Sequence, residues 1–248
     1  RDDIMNTFVV AEIASNWEGS VATAKRLIRE SKKSGADAVK FQMWRASDLY
    51  VGHPDWKIIK KSELTFEKAK KLKKYADSIK IEFFCSAFFP EAVDFLEELN
   101  VKRFKIASRT CTLKDPHSLE TLKKIALTKK PVIVSMGMGG NVSLIKKIFS
   151  RNKTLFCYCI SEYPTDFKKI NWKKALSFNG FSDHTLGINA AIIFAVLKHQ
   201  TKTKSCFIEK HVKLKNSKGP DADTSIDTNQ LSDLVNYVRI LQNNFTKI

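Results

Sequence analysis

Short apolar runs, rich in β-branched and aromatic residues, alternate with longer amphipathic stretches along the chain of 248 residues. Eight of the runs have the length of strands, and the stretches between them carry apolar residues at the three- and four-residue spacing of helices. The predicted strands are residues 8–14, 38–42, 81–86, 103–107, 132–135, 155–160, 178–182 and 206–211. The predicted helices are residues 21–34, 65–78, 90–99, 116–128, 142–149, 171–176, 188–199 and 229–244.

This order predicts an α/β protein, a closed (β/α)8 TIM barrel in which a helix follows each strand. An open doubly wound sheet is less favoured, because no Gly-x-Gly-x-x-Gly turn follows the first predicted strand. Local signals agree with the boundaries, since Gly35 follows the first helix as a C-terminal cap and Thr65 has the spacing of an N-cap. No linker or low-complexity segment interrupts the pattern, so residues 1–248 are predicted to form a single domain.

The formal charge of +17 raises the question of nucleic-acid binding. Most lysines, however, fall on polar helix faces, as in Glu67-Lys-Ala-Lys-Lys-Leu-Lys-Lys-Tyr75, where a basic face usually only solvates the helix. No Arg-rich arm, zinc-finger spacing or aromatic–basic RNA-binding segment is present, so we predict no nucleic-acid partner. The positive field favours a small anionic substrate instead.

Composition also bears on compartment. No apolar run approaches the ~20 residues that a membrane span needs, and the first residues do not resemble a signal peptide, so we expect a cytoplasmic protein without a membrane partner. The chain begins at Arg1, from which we expect a trimmed chain or part of a longer product. Five scattered cysteines predict buried, reduced thiols rather than a disulfide framework, including Cys157 and Cys159 at a spacing of two.

The predicted strand ends carry many polar side chains. In a TIM barrel the functional site lies at the C-terminal ends of the strands, and polar groups inside a barrel cost roughly 1–3 kcal/mol each when unsatisfied. So many polar strand ends therefore predict a wet, charged pocket. They are Glu12, Asn16, Lys40, Gln42, Ser86, Lys105, Ser108, Ser135, Tyr163, Ser182, His184, Glu209 and His211.

Two polar pairs at a spacing of two stand out: Ser182 with His184, and Glu209 with His211. Side chains alternate along a strand, so each pair projects to one side. Two neutral imidazoles from neighbouring strands would leave coordination positions open for water and substrate, as a catalytic divalent metal requires. The alternative is that each histidine is hydrogen-bonded and structural.

Lys40 and Lys105 each end an apolar run, and serines accompany them at the strand ends. Such a set predicts a cradle for phosphate and carboxylate groups. Two alternatives stay open: a lysine that extends outward between helices, and a lysine that forms a Schiff base as in carbonyl-activating aldolases. The serines are Ser86, Ser108, Ser135 and Ser182.

Glu12 and Glu209 fall on the first and last strands, which are neighbours in a closed barrel. One would bind substrate hydroxyls while the other acts as a base, or both would pair with the lysines and hold the pocket together. Asp221, in the polar turn Gly219-Pro-Asp-Ala-Asp223, would lie over the pocket near a sugar, or in an ordinary surface loop.

Taken together, these segments resemble the sialic acid synthase family, which includes N-acetylneuraminate, legionaminate and pseudaminate synthases, from about residue 8 to about residue 240. The Ser-Asp-His-Thr and Glu-Lys-His segments are specific in combination, although each is weak alone. The matching segments, in chain order, are Val10-Ala-Glu-Ile-Ala-Ser-Asn16, Gly35-Ala-Asp-Ala-Val-Lys-Phe-Gln42, Phe104-Lys-Ile-Ala-Ser108, Ser135-Met-Gly-Met138, Ser161-Glu-Tyr-Pro164, Phe181-Ser-Asp-His-Thr-Leu-Gly187, Ile208-Glu-Lys-His211 and Gly219-Pro-Asp221.

The resemblance implies a (β/α)8 barrel that condenses phosphoenolpyruvate with an open-chain N-acylated hexosamine to a nonulosonic acid, with release of phosphate by C–O cleavage. It implies manganese or magnesium at His184 and His211, and a homodimer. It also implies that phosphoenolpyruvate is held by Lys40, Ser86, Lys105, Ser108, Ser135 and Ser182, and that the sugar or the attacking water faces Glu12, Gln42, Tyr163, Glu209 and Asp221. Two other functions stay open: a Schiff-base aldolase, and a catalytically silent barrel that binds a sugar.

Two departures from the family pattern matter. Family members usually continue into a small antifreeze-like domain that caps the partner's barrel and supplies an arginine to the sugar. The sequence ends at Ile248, directly after the eighth helix, so we expect no such domain in this chain, whether trimmed or absent. The glycine usual after Lys-Ile-x-Ser is replaced by Arg109-Thr110, and this arginine is expected to substitute for the cap residue, crowd the pocket or face solvent.

Overall fold

Eight parallel strands close into a barrel in chain order, and the first strand pairs with both the second and the eighth. The computed structural model describes residues 6–49, 52, 54, 56–201, 203 and 205–244. The prediction of a (β/α)8 barrel is therefore confirmed. The barrel strands are β1 (Asn6–Glu12), β2 (Ala38–Met43), β3 (Glu82–Ala87), β4 (Phe104–Ile106), β5 (Val132–Ser135), β6 (Thr154–Tyr158), β7 (Gly180–Asp183) and β8 (Ser205–Lys213).

Helices surround the barrel, and the eight predicted ones all form within two residues of their predicted bounds. They are α1 (Val21–Lys33), α4 (Phe66–Ser78), α5 (Pro90–Glu98), α7 (Ser118–Leu127), α8 (Val142–Ile148), α9 (Trp172–Leu176), α10 (Asn189–His199) and α11 (Thr228–Asn244). The prediction missed three short helices and a two-residue strand, which are too short to show a period. These are α2 (Ala46–Leu49), α3 (Trp56–Lys61), α6 (Ser108–Cys111) and β9 (Ile226–Asp227).

Short-range signals define the helix ends. The Thr65 hydroxyl accepts a hydrogen bond from the Lys68 N–H at the start of α4, which satisfies one of the unpaired donors of a first helical turn. Gly35 follows α1 with a φ of +82°, the left-handed conformation that glycine adopts without steric cost. Both caps agree with the sequence prediction.

Two apolar layers stabilise the barrel. A large core fills the space between the sheet and the helices, and a smaller cluster, the apolar plug, fills the lower half of the lumen. Gly180 is required there, because a Cβ at this position would lie 2.4 Å from the Phe207 ring. The plug consists of Val10, Ala38, Phe84, Ile133, Cys157 and Phe207.

All five cysteines are buried and free, which confirms that part of the prediction. Burial raises the pKa of the Cys85 and Cys111 thiols to about 12, so neither forms a reactive thiolate near neutral pH. In the part of the chain that the structure describes, no helix has the length and apolar character to cross a membrane.

Candidate active site

A polar layer lies directly above the apolar plug, at the C-terminal ends of the strands. Five of its six members follow a plug residue by two positions on the same strand, so strand alternation points both layers into the lumen. Every member is at most 3% exposed. The six are Glu12, Lys40, Ser86, Lys105, Ser135 and Glu209.

The lysines and glutamates of this layer alternate in a chain of ion pairs. Lys40 contacts Glu12, its register partner on the neighbouring strand, and its Nζ lies 3.7 Å from Glu209 Oε2. The other oxygen of Glu209 lies 3.3 Å from Lys105 Nζ, which reaches across the lumen from β4. Two ammonium groups and two carboxylates thus balance each other, so burial leaves no net charge in the layer.

Three of the predicted serines join this network. Ser86 accepts a hydrogen bond from Lys40 at 3.3 Å, and Ser135 accepts one from Lys105 at 2.7 Å. Ser182 donates to Glu209 Oε1 at 2.8 Å. Ser108 has different partners: its hydroxyl accepts from the Gly137 N–H at 2.9 Å and lies 3.2 Å from Cys159 Sγ, so it shapes the turn after β5.

Burial and pairing act in opposite directions on these groups. Burial lowers the pKa of Lys40 to about 8, with a further contribution from Lys105, against the opposing attraction of Glu209. Burial also disfavours charge on Glu209, but Lys105 and Lys40 outweigh it and lower the pKa of that carboxyl to about 2. For Lys105 burial opposes charge, yet Glu209 outweighs it and raises its pKa. Near neutral pH the two lysines and Glu209 therefore remain charged.

The two histidines lie side by side next to this network. Their ring centroids are 5.4 Å apart and the ring planes are inclined by 57°. His184 Nδ1 lies 2.7 Å from the Ile160 carbonyl, which can only accept, so Nδ1 carries the proton and Nε2 keeps its lone pair. The Nε2 atom lies 3.4 Å from Ser182 Oγ.

Both imidazoles are neutral. Burial, followed by the neighbouring His211, lowers the pKa of His184 to about 4, and burial also lowers the pKa of His211. His211 Nδ1 is buried, and among the described residues it has no hydrogen-bond partner. Neutral imidazoles with free lone pairs fit a divalent transition metal. Within the described ranges no group of three or more His, Cys, Asp or Glu side chains is arranged to hold a metal ion, so this pair would provide only two ligands.

Tyr163, Gln42 and Asp221 lie at the mouth. Tyr163 is 53% exposed, and its ring centroid is 4.2 Å from that of His184. Gln42 is half-buried on β2, in register with Ser86. Asp221 is tied to the first strand–helix loop, because its Oδ2 accepts from the Ser15 hydroxyl and, at 3.3 Å, from the Ser15 N–H. Its negative charge opposes the lowering of the His211 pKa.

Asn16 is completely buried in the same loop, and its amide nitrogen donates to the Val212 carbonyl and to Ser225 Oγ, both at 2.8 Å. Arg109, in α6, forms a bidentate ion pair with Asp115 at 2.7 to 3.0 Å. This ion pair holds the guanidinium within its own loop, and 38% of the Arg109 side chain is exposed.

A buried ion pair that was not predicted joins Asp183 and Lys210, whose side chains are completely inaccessible to solvent. They are the central residues of the Ser-Asp-His and Glu-Lys-His segments. The signal was present, because oppositely charged residues at matching places in two neighbouring strands suggest a cross-strand pair. Asp183 and Lys210 each lie between the two residues of a pair at a spacing of two, and only those outer residues were assigned a role.

Comparison with known proteins shows the family to which the chain belongs. A family profile described as "NeuB family" matches residues 27–247. The chain belongs to the NeuB family. This NeuB-family chain is 36% identical over 250 residues to an uncharacterized protein of Methanocaldococcus jannaschii, covering 95% of this chain and 71% of the relative.

Other proteins that this chain resembles have names that describe an activity. The N,N'-diacetyllegionaminic acid synthase of Campylobacter jejuni is 32% identical, covering 95% of this chain and 76% of the relative. An N-acetylneuraminic acid (sialic acid) synthetase from Leptospira borgpetersenii, solved in complex with citrate, superimposes with a TM-score of 0.85 at 24% identity. That alignment covers 96% of this chain and 84% of the synthetase, and it supports the barrel fold. The resemblance to the sialic acid synthases is thereby confirmed.

Proposed function

We propose that this NeuB-family barrel condenses phosphoenolpyruvate with the open-chain aldehyde of an N-acylated hexosamine, giving a nonulosonic acid and inorganic phosphate. The observation that carries the proposal is the chain of ion pairs through Glu12, Lys40, Glu209 and Lys105, directly beside the His184–His211 pair. Buried lysines next to serine hydroxyls suit a small, highly charged anion. The relatives' names, which are those of synthases for such acids, point to the same chemistry.

The two lysine–serine pairs are the proposed anion cradle. Lys40 of β2 contacts Ser86 of β3, and Lys105 of β4 contacts Ser135 of β5, so each pair joins neighbouring strands. Ser86 is also the register partner of Lys105. Phosphoenolpyruvate would exchange carboxylate–ammonium contacts within the protein for contacts of its own phosphate and carboxylate. Because these side chains are at most 3% exposed, those contacts are stronger than they would be at an exposed site.

The proposed condensation forms one carbon–carbon bond and breaks the C–O bond that joins C2 to phosphate. The methylene carbon of phosphoenolpyruvate forms a bond to the aldehyde carbon, whose oxygen takes up a proton and becomes a hydroxyl. The cationic C2 centre accepts water, which loses a proton, and the resulting tetrahedral intermediate expels phosphate by C–O cleavage and leaves a ketone. Lysine and serine donors around the phosphate and carboxylate stabilise the charge that moves during these steps.

Glu12 is the proposed proton acceptor for the water. Glu209 Oε1 is contacted by both Lys105 and Ser182, and its Oε2 lies 3.7 Å from Lys40 Nζ, an ion-pair contact beyond hydrogen-bond distance. Glu12 contacts Lys40 through Oε2, whereas its Oε1 has no hydrogen-bond partner among the described residues. The carboxylate with fewer cationic contacts is the better acceptor, because Lys105 and Lys40 outweigh burial and lower the pKa of Glu209 to about 2. Glu209 would then maintain the spacing of the two lysines.

His184 and His211 would hold a divalent cation, manganese or magnesium, with the remaining positions filled by water and substrate. The neutral imidazoles and the unpartnered His211 Nδ1 fit this group. A cation bound there would polarise the aldehyde oxygen of the sugar. Gln42, Tyr163 and Asp221, at the mouth, are the proposed contacts for the sugar.

The deciding experiment incubates the protein with phosphoenolpyruvate, Mn²⁺ and a panel of N-acyl hexosamines while inorganic phosphate is measured. Phosphate release that requires both phosphoenolpyruvate and one sugar supports the proposal. Release of no phosphate with any sugar, in protein that binds a sugar by calorimetry, identifies a catalytically silent barrel instead.

One observation favours a Schiff-base aldolase as the second candidate: burial lowers the pKa of Lys40 to about 8, which makes its amine easier to deprotonate. Borohydride reduction in the presence of a carbonyl substrate separates the two. An aldolase would be trapped as a lysine adduct and would keep its activity in a chelator. The condensing enzyme would form no adduct and would lose activity when the metal is removed.

A further inference from the structure

The Asp183–Lys210 pair lies immediately behind the two histidines. Strands β7 and β8 are in register, with Ser182 opposite Glu209 and Asp183 opposite Lys210. Ser182 and Glu209 point into the lumen, where they contact each other, so alternation directs Asp183 and Lys210 to the helix side of the sheet. Both side chains are completely buried, with Lys210 Nζ 3.0 Å from Asp183 Oδ2.

The ladder of backbone pairing between these strands ends at this pair. The next register position would set His184 opposite His211, but β7 ends at Asp183 whereas β8 continues to Lys213. The two histidines therefore lie just beyond the last pairing between β7 and β8, although His211 is still paired with Glu12 of β1. Some other set of contacts has to hold one imidazole in place relative to the other.

The ion pair provides those contacts through the backbone of Thr185, the residue that follows His184. Asp183 Oδ1 accepts from the Thr185 N–H at 2.8 Å, and Lys210 Nζ donates to the Thr185 carbonyl. One side chain from each strand thus binds one backbone polar group of Thr185. The His184 carbonyl is held separately by the Thr165 N–H at 2.9 Å and the Thr224 hydroxyl at 2.7 Å.

Stability alone does not account for a pair of this kind. Desolvation of two charges offsets most of their attraction, and apolar residues of similar size often stabilise a buried position as well or better. The pair instead orients the chain, because charged hydrogen bonds to the backbone N–H and carbonyl of Thr185 hold the segment that carries His184 against the strand that carries His211.

We propose that Asp183 and Lys210 form a positioning pair, which holds the His184 and His211 imidazoles at the separation needed to share one divalent cation. This role rests on the proposed function, since it presumes that the two histidines bind a metal. Groups behind the ligands of a metal site act in this way, and their loss typically weakens metal binding or activity by roughly 10- to 100-fold.

The test is the double variant Asp183→Asn/Lys210→Met, which removes both charges and leaves no unpaired ion. Mn²⁺ affinity is measured by calorimetry or by the paramagnetic resonance of free Mn²⁺, alongside the thermal midpoint. We expect a dissociation constant for Mn²⁺ raised roughly 10- to 100-fold, a lower kcat, an unchanged KM for phosphoenolpyruvate and a midpoint close to that of the parent.

The matched control is Glu82→Gln/Arg103→Met. It removes a bidentate ion pair of 2.6 and 3.1 Å at the opposite, N-terminal end of the barrel. This control should leave Mn²⁺ affinity and kcat unchanged. If Asp183→Asn/Lys210→Met does not fold by circular dichroism, the double variant Asp183→Asn/Lys210→Gln, which also leaves no unpaired charge, takes its place with the same Mn²⁺ measurement.

The outcomes separate the two proposals. A folded double variant that binds Mn²⁺ as tightly as the parent overturns the positioning role, while parent turnover of phosphoenolpyruvate leaves the proposed function intact. A lower thermal midpoint with unchanged Mn²⁺ affinity also overturns the role, because the pair is then only structural. A parent that neither binds Mn²⁺ nor releases phosphate overturns the proposed function and the positioning role together.

Discussion

The apolar plug and the polar layer are built on the same strands and lie one inward-facing position apart, yet they do opposite things. Val10 precedes Glu12 by two residues, Ala38 precedes Lys40, and the same step separates Phe84 from Ser86. The plug excludes water from the lower lumen and stabilises the closed sheet. The polar layer buries two lysines and two glutamates at a cost in desolvation, which is offset only by their mutual pairing.

The difference shows that the two layers along the strand axis have separate roles, the lower one in stability and the upper one in binding. The lower layer can be apolar because nothing has to enter from that side, and its packing makes the upper layer rigid. The upper layer can be charged because its members are buried by the plug below and the helices around it and are paired with one another. Charges in such a low-dielectric environment act more strongly on a bound anion. Changes in the plug should therefore affect stability, and changes in the polar layer and its histidines should affect turnover.

The largest effect should come from His184→Ala, which removes one of the two proposed metal ligands. Phosphate release should fall about 1000-fold or more, because metal assistance supplies several kcal/mol of transition-state stabilisation, while the thermal midpoint stays within a few degrees of the parent. His211→Ala should behave alike. His117→Ala, at a histidine with 38% of its side chain exposed, is the control. Full turnover without either imidazole would remove them from the reaction.

The reverse result is expected in the plug. Phe207→Ala should lower the free energy of unfolding by about 3–5 kcal/mol, because it removes a buried ring and leaves a cavity against Gly180. Urea denaturation provides the measurement, and the folded fraction should keep the parent KM for phosphoenolpyruvate. Leu127→Ala, at a side chain 80% exposed, should change stability by less than about 0.5 kcal/mol. A large increase in KM for Phe207→Ala would mean that the two layers are not separable.

Within the polar layer, Lys105→Ala should raise the KM for phosphoenolpyruvate roughly 10- to 100-fold, which is the value of a lost charged hydrogen bond, and should leave the KM for the sugar nearly unchanged. Steady-state kinetics with each substrate varied in turn measure this. Lys102→Ala changes an exposed lysine near the N-terminal end of β4 and should have no effect. Equal increases in both KM values would place Lys105 outside the anion cradle.

The smallest effect concerns pH. Burial lowers the pKa of Lys40 to about 8, so the ammonium form persists below that pH and is lost as the pH rises through it. The kcat/KM for phosphoenolpyruvate should therefore decline above pH 8, by roughly tenfold per pH unit at the limit, as the charge disappears. Lys105, whose pKa is raised, should keep its charge over the same range. A kcat/KM that stays constant up to pH 10 would contradict the contribution of Lys40.

The hydrophobic pattern was sufficient for the fold, because period and length separate strands from helices without knowledge of the partners. The predicted strand ends also included every member of the polar layer, because a lysine or glutamate in an apolar run can be recognised from the sequence alone. Short elements such as α6 escaped, because a four-residue helix has no period to detect. Ser108 was grouped with the other serines, and the structure shows that it contacts the turn after β5 instead.

The sequence by itself determined the barrel and the depth at which charge enters its lumen, because alternation along a strand is a local property of the chain. Only the tertiary structure decided the partners: Lys105 meets Glu209 across the lumen, Asp221 meets Ser15, and Asp183 meets Lys210 behind the histidines. Those pairings join residues 27 to 206 positions apart. Closure of the sheet brings such distant residues together, and their separation along the chain does not reveal that they are in contact.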